Sequence, residues 1–123
     1  MDNSQYIFSG NNSASEINTL LSTFWGHDSP VSHYQEQSIV SFEKAFHEAN
    51  RAHYNRQDLL TLFGGKTVTM GLRYKNKLIA HSALLIQPWG DVETAGSIID
   101  PEFRGKSLMK IINEKKKELL SRM

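Results

Sequence analysis

Between Lys66 and Tyr74, apolar residues recur at every second position, and this period is the strongest constraint on the fold. Apolar and polar residues alternate through 66–74, which predicts a half-buried strand. The segment 75–77 predicts a tight turn, because its asparagine tolerates positive φ. The next run, 78–86, is apolar enough for the centre of a sheet. With a further strand at 92–99, the pattern predicts a three-stranded meander.

A glycine-bearing turn leads from the third strand into a basic amphipathic helix. The turn covers 100–107, and the helix that follows has a buried stripe predicted at Leu108, Ile111, Ile112, Leu119 and Leu120. The first turn of a helix leaves backbone N–H groups unpaired at its positive end, so a phosphate could bind there. Arg104 and Lys106 add charge, and Gly105 allows close approach of the backbone. An ordinary strand–turn–helix unit with solvated charges is the alternative interpretation.

The segment 92–109 resembles the acyl-CoA-binding motif of the GNAT superfamily of N-acyltransferases. In that motif a strand ends in V-x-P-x-[YF]-R-G-x-G-x-G/A, and the helix that follows holds the coenzyme A pyrophosphate. The matching residues are Ile99, Pro101, Phe103, Arg104 and Gly105. Two residues depart from the pattern: Ser107 replaces the motif's second glycine, and Met109 replaces its small final residue. The preceding strands, 66–86, also resemble the family's, so the resemblance covers about the last 58 residues.

The resemblance implies acetyl-CoA as co-substrate and an amine as acceptor, with no metal. The pantetheine arm would pair with the main chain of the third strand, where backbone N–H groups also offer an oxyanion site. The pyrophosphate would lie over the amides of the turn. The implied cofactor-binding residues are Ser97, Ile98, Ile99, Arg104, Gly105, Lys106, Ser107, Leu108 and Met109.

A general base is the other requirement of acyl transfer to an amine. The candidates are Glu93 on the third strand and His81 on the neighbouring strand, with a structural or exposed role as the alternative for each. Tyr34 and His33, in the loop after the first helix, are candidates for the acceptor pocket, and ordinary surface residues are the alternative.

The N-terminal half predicts helices. A short strand at 6–8 precedes a helix at about 14–25, introduced by a capping box of Ser13 and Glu16. Apolar residues at helical spacing predict a second helix at about 38–54. An apolar cluster at 59–63 forms a further helical turn, which Gly64-Gly65 ends.

Composition excludes several classes of protein. The chain has 39% hydrophobic and 22% charged residues, which is typical of a globular protein, and its net charge of +1 favours no particular partner. Zero cysteines exclude thiolate chemistry, and His47 and His53 lack metal-binding spacing. The N-terminus lacks a signal-peptide pattern and no segment is apolar enough for a membrane span, so a cytoplasmic protein is expected. The lysine-rich helix has no interleaved aromatic residues, which weakens a nucleic-acid function.

These observations predict a single α/β (α+β) domain over 1–123, with a mixed, mainly antiparallel sheet and flanking helices. It resembles the N-terminal part of the GNAT fold, which normally continues past this helix, so we expect an incomplete domain. The strand at 92–99 would then have an open edge for a second copy or a partner chain. The implied function is N-acetyl transfer from acetyl-CoA to a primary amine. A non-catalytic coenzyme-A-binding or protein-interaction module, or a fragment completed by another chain, remains the alternative.

Overall fold

The computed structural model describes residues 5–25, 34–51 and 55–122. Within them, the strands are β1 (Tyr6–Ser9), β2 (Ile39–Ser41), β3 (Thr67–Tyr74), β4 (Lys77–Ile86) and β5 (Val92–Ile99). The α-helices are α1 (Ala14–Trp25), α2 (Phe42–Ala49), α3 (Arg56–Phe63) and α4 (Met109–Leu120). Single 3-10 turns lie at Glu36–Ser38 and Pro101–Phe103. The predicted mixture of helices with a mainly antiparallel sheet is confirmed.

The sheet has the strand order β1-β3-β4-β5, and β2 pairs with β3 beside β1. All neighbouring strands are antiparallel except β2 and β3, which are parallel. The predicted meander therefore forms the centre and one edge of the sheet. Its first turn has left-handed backbone at Lys75 (φ 48°) and Asn76 (φ 69°), the conformation that a two-residue hairpin turn requires.

Helix α1 covers one face of the sheet. Its predicted capping box is present, since the Glu16 N–H donates to Ser13 Oγ at 3.1 Å and the Ser13 N–H donates to Glu16 Oε1 at 3.4 Å. The helix buries an apolar stripe against β4 and β5, and the predicted helix at about 14–25 is confirmed. The buried cluster on this face consists of Ile17, Leu20, Leu21, Leu78 and Ile98.

Helices α2, α3 and α4 pack on the opposite face and form the larger core. Every second residue of β3 from Val68 to Leu72 points into it, as the period of two requires. The fully buried side chains of this cluster are Val68, Met70, Leu72, Ile79, Ala80, Ile86, Leu108, Ile112 and Leu119. Because α4 lies over β3 and β4, the core fixes where its first turn stands relative to the end of β5.

The predicted second helix at 38–54 is wrong in its extent. Ile39 to Ser41 form β2, because Ile39 and Val40 find strand partners on β3 at Thr67 and Val68. Ser41 then caps α2, accepting a hydrogen bond from the Lys44 N–H at 3.1 Å. The helix ends at Ala49, and residues 52–54 lie outside the described part of the chain.

The predicted buried stripe of α4 is wrong at its C-terminal end. Leu120 is 41% exposed, whereas Lys116 is only 5% exposed. Residues 112, 116 and 119 follow one another at steps of four and three, so Lys116 lies on the buried face between Ile112 and Leu119. A charged residue thus occupies a core position of the helix.

Candidate functional site

The turn from β5 to α4 is held against the sheet by its side chains. Asp100 Oδ1 accepts a hydrogen bond from the Glu102 N–H at 3.0 Å and so caps the 3-10 turn that begins at Pro101. The Phe103 ring packs against the sheet through Tyr74, at a centroid distance of 5.3 Å. After Phe103 the chain continues into an exposed loop.

Two left-handed residues shape that loop. Gly105 has φ +80°, and a Cβ atom built on it would meet nothing within 4 Å. Ser107 has φ +57°, in the region that the motif's usual glycine adopts without strain. The departure from the motif at Ser107 therefore keeps the backbone conformation at a modest energetic cost.

The first amides of α4 lack protein acceptors among the described residues. Backbone bonding in this turn starts with the Lys110 N–H, which donates to Ser107 O at 3.3 Å, and the Ile111 N–H, which donates to Leu108 O at 3.0 Å. The residue before the helix, Leu108, supplies no side-chain cap. The amides of Leu108 and Met109 are thus left for a ligand or water.

A concave surface of about 500 Å³ adjoins these amides. Lys110 and Lys117 place positive charge on it, and Glu114 partly offsets that charge. Its lining consists of Ile99, Gly105, Ser107, Leu108, Met109, Lys110, Asn113, Glu114 and Lys117. The backbone and charge at this surface match what an anionic group requires.

The structure brings together only part of the predicted cofactor-binding set. Ile99, Gly105, Ser107, Leu108 and Met109 line the concave surface, whereas Ser97, Ile98, Arg104 and Lys106 do not. The Leu108 side chain is fully buried in the core, so only its backbone is available to a ligand there. Arg104 is exposed, and its Nε–H donates to Ile99 O at 3.1 Å.

The two predicted base candidates lie apart. Glu93 is exposed near the start of β5, opposite Leu85. His81 is fully buried on β4, opposite Ile98, four positions from Leu85. At about 3.3 Å per residue, that separation is roughly 13 Å along the strand. The two groups do not form one catalytic pair.

His81 is a neutral imidazole in this environment. Its Nδ1 lies 2.8 Å from Gly96 O, and its Nε2 is buried without a hydrogen-bond partner in the described residues. Burial is the main reason that the pKa of His81 falls to about 4; the Lys116 charge lowers it further, and the bond to Gly96 partly opposes them. A group with this pKa is a weak proton acceptor near neutral pH.

Tyr34 joins His81 at the β4–β5 boundary. Its ring centroid lies 5.5 Å from that of His81, and a Cβ atom on Gly96 would lie 2.6 Å from the Tyr34 hydroxyl. Asn18 of α1 holds the Tyr34 backbone by two hydrogen bonds of 2.9 Å. Burial raises the pKa of Tyr34, so its hydroxyl stays protonated. His33, the other predicted pocket residue, lies outside the described residues.

Gly96 and Ser82 are the site residues that sequence reasoning missed. Ser82 Oγ lies 2.6 Å from Ser97 Oγ, joining β4 to β5 beside Gly96. An isolated glycine inside a strand pattern often marks a bulge, and this signal at Gly96 was available in the sequence. The contact between the Ser82 and Ser97 hydroxyls has no comparable signal in the sequence.

Two other concave surfaces in the described part of the chain contain none of the predicted site residues. One of about 460 Å³ lies between β1, α2 and α4, and one of about 400 Å³ lies between α1 and the β3–β4 turn. Within the described ranges, no group of three His, Cys, Asp or Glu side chains is arranged to bind a metal ion. The helices in the same ranges include none with the length and hydropathy needed to cross a bilayer.

Comparison with known protein families, with curated proteins and with solved structures found no match to this chain. The fold and the geometry of the β5–α4 turn therefore carry the functional inference.

Proposed function

We propose that this chain belongs to an acyl-CoA-dependent N-acyltransferase of the GNAT type, which transfers an acetyl group from acetyl-CoA to a primary amine. The observation that carries the proposal is the backbone of the β5–α4 turn. Its Gly105 is open to solvent, its left-handed Ser107 turns the chain, and the first amides of α4 face a basic concave surface. This arrangement supports binding of a diphosphate.

The order of elements supports the same proposal. The β3–β4–β5 meander runs directly into the turn and then into α4, which is the arrangement expected from the resemblance. Among the described residues, β5 pairs only with β4, so its other edge has main-chain groups for an extended ligand. The pantetheine arm of acetyl-CoA is the extended ligand that the proposal assigns to Ser97, Ile98 and Ile99.

In the reaction, the chain supplies binding and orientation. The amides of Ser107 to Met109 would hold the pyrophosphate, and a β5 amide near Ser97 would donate to the thioester carbonyl oxygen as negative charge develops on it. The amine nitrogen attacks the thioester carbon, the C–S bond breaks, and the departing thiolate takes up the proton that the new amide nitrogen loses. Glu93 is the exposed carboxylate of β5, four residues from Ser97, and it would first accept the proton of the substrate ammonium through water.

Gly105→Asp tests the anion site, and Gly65→Asp is its matched control. Both glycines have left-handed φ, +80° and +82°, and space for a side chain, but Gly65 lies two residues before β3. At 100 times the dissociation constant, acetyl-CoA should stabilise the wild type and G65D by about 2.7 kcal/mol, read as a rise in Tm. G105D should lose this rise, because its carboxylate would repel the pyrophosphate. An equal rise in both variants contradicts the proposed site.

A coenzyme-A-binding module without catalysis is the second candidate. The observation that favours it is the separation of the candidate bases: His81 is buried with a low pKa, and Glu93 lies near the other end of β5. This candidate predicts stabilisation by acetyl-CoA without release of free thiol in the presence of a panel of primary amines. A second chain that completes the domain at the open edge of β5 would instead restore thiol release when it is added.

A further inference from the structure

The β4–β5 ladder contains a bulge beside the proposed acyl site. His81 is opposite Ile98 and Ala83 is opposite Ala95, so Gly96 and Ser97 together oppose the single residue Ser82. Gly96 has φ +60°, which only glycine adopts easily. Bulges of this kind change the direction of backbone groups and are frequent next to functional sites.

His81 holds the bulge through a hydrogen bond whose direction is fixed by chemistry. Gly96 O can only accept, so the Nδ1 atom at 2.8 Å must carry the proton and donate it. The Nε2 atom then carries a lone pair, and it is buried without a partner in the part of the chain described. Because the imidazole is fully buried, it has little freedom to leave this position.

The direction of the Gly96 carbonyl determines the direction of the next amide. The described chain has no cis peptide bonds, so the Ser97 N–H points opposite to Gly96 O and therefore away from the imidazole. The Ser82–Ser97 hydroxyl contact of 2.6 Å holds the same residue from its side chain. Two contacts from β4 thus fix the Gly96–Ser97 peptide in one orientation.

We propose that His81 is a positioning residue: by donating from Nδ1 to the Gly96 carbonyl, it orients the Ser97 N–H toward the carbonyl oxygen of a bound thioester. This inference rests on the proposed function and assigns His81 a role other than proton acceptor. A base would need its free Nε2 exposed to the attacking amine, whereas that atom is buried. The low pKa of His81 keeps the imidazole neutral near neutral pH, and the hydrogen bond to Gly96 O fixes the tautomer with the proton on Nδ1.

His81→Asn and His81→Gln form the matched pair that tests it. The Asn side-chain amide places an N–H close to the position of Nδ1, whereas Gln places one close to that of Nε2. In the free ¹⁵N-labelled protein, the Ser97 amide signal should stay near its wild-type position in H81N and shift in H81Q. An unshifted Ser97 signal in H81Q, or equal shifts in both variants, overturns the positioning role.

The thioester carbonyl gives the second measurement. Infrared difference spectra of acetyl-CoA labelled with ¹³C at the carbonyl should show the band at lower frequency when bound to wild type or H81N. In H81Q this displacement should be lost, while the acetyl-CoA dissociation constant changes by less than about threefold, because the pyrophosphate contacts are intact. The inference is overturned if the carbonyl band is displaced equally in all three proteins, or if both variants lose the displacement equally.

Failure of the proposed function would look different. In that case the wild type binds no acetyl-CoA, while the Ser97 signal still shifts in H81Q and not in H81N, which supports the His81 contact in the free protein. If either variant does not fold, the protonation of the His81 imidazole in the wild type provides the test. Its ¹⁵N signals should show a protonated Nδ1 and an unprotonated Nε2, and a protonated Nε2 overturns the inference.

Discussion

Acid should destabilise this protein through His81 in a defined pH range. In the folded chain burial lowers the pKa of His81 to about 4, from an ordinary value of 6.5. Between these two values the unfolded chain binds a proton that the folded chain does not. The stability that His81 contributes is therefore fully present above pH 6.5 and declines as the pH falls toward 4.

The size of the effect follows from the difference between the two pKa values. A difference of about 2.5 corresponds, at 1.36 kcal/mol per pKa unit, to about 3 kcal/mol of unfolding free energy. His81 has no exposed surface, so solvent screening does not reduce this figure. A loss of that size is a large fraction of the stability of an ordinary small domain.

Urea unfolding of wild type and H81N at several pH values between 4 and 7 measures the effect. The difference between the two unfolding free energies removes the contribution of carboxylates, which both proteins share. It should fall by about 3 kcal/mol across the range. His47→Asn, at an exposed position on α2, is the control for removal of a histidine that is not buried. A difference that stays flat from pH 7 to 4 would refute the neutral, buried state of His81.

Further substitutions test the packing around the site and the start of α1. Gly96→Ala should lower the unfolding free energy by about 1–3 kcal/mol, because φ at this position is +60° and the new Cβ would lie 2.6 Å from the Tyr34 hydroxyl. An unchanged urea midpoint would contradict the bulge. Lys116→Met should raise the unfolding free energy by about 1–2 kcal/mol, because Lys116 Nζ is buried without a partner among the described residues. Lys117→Met, at an exposed position, is the control and should not raise it. Ser13→Ala should cost about 1 kcal/mol in thermal unfolding through loss of the α1 cap, and no change would argue against the cap.

The meander and α1 were predictable because their signals are local. Alternation through β3, the turn residues Lys75 and Asn76, and the capping box before α1 each act over a few positions. The short strand β2 was not predictable in this way. Ile39 fits a helical period with Phe42, Phe46 and Ala49. Only the pairing of 39–41 with β3, distant in sequence, makes this segment a strand.

The candidate site was likewise predictable only where its sequence signals are local. The turn at Gly105 could be located from the sequence, because glycine and a helix start are visible there. The environment of His81 could not, since its burial, its bond to Gly96 and the nearby charge of Lys116 arise only when β4, β5 and α4 pack together. For the same reason Lys116 resembled a solvated lysine in the sequence, although it lies on the buried face of α4.

The bulge at Gly96 also affects how this protein behaves at high concentration. In the described part of the chain, β5 is an edge strand, and a long regular edge would act as a template for strands of other molecules. Gly96 interrupts the regular spacing of donors and acceptors midway along β5, so a neighbouring copy cannot continue the ladder over the whole strand. We therefore expect the irregularity at Gly96 to limit edge-to-edge pairing between copies, while short stretches of main chain stay open to smaller ligands.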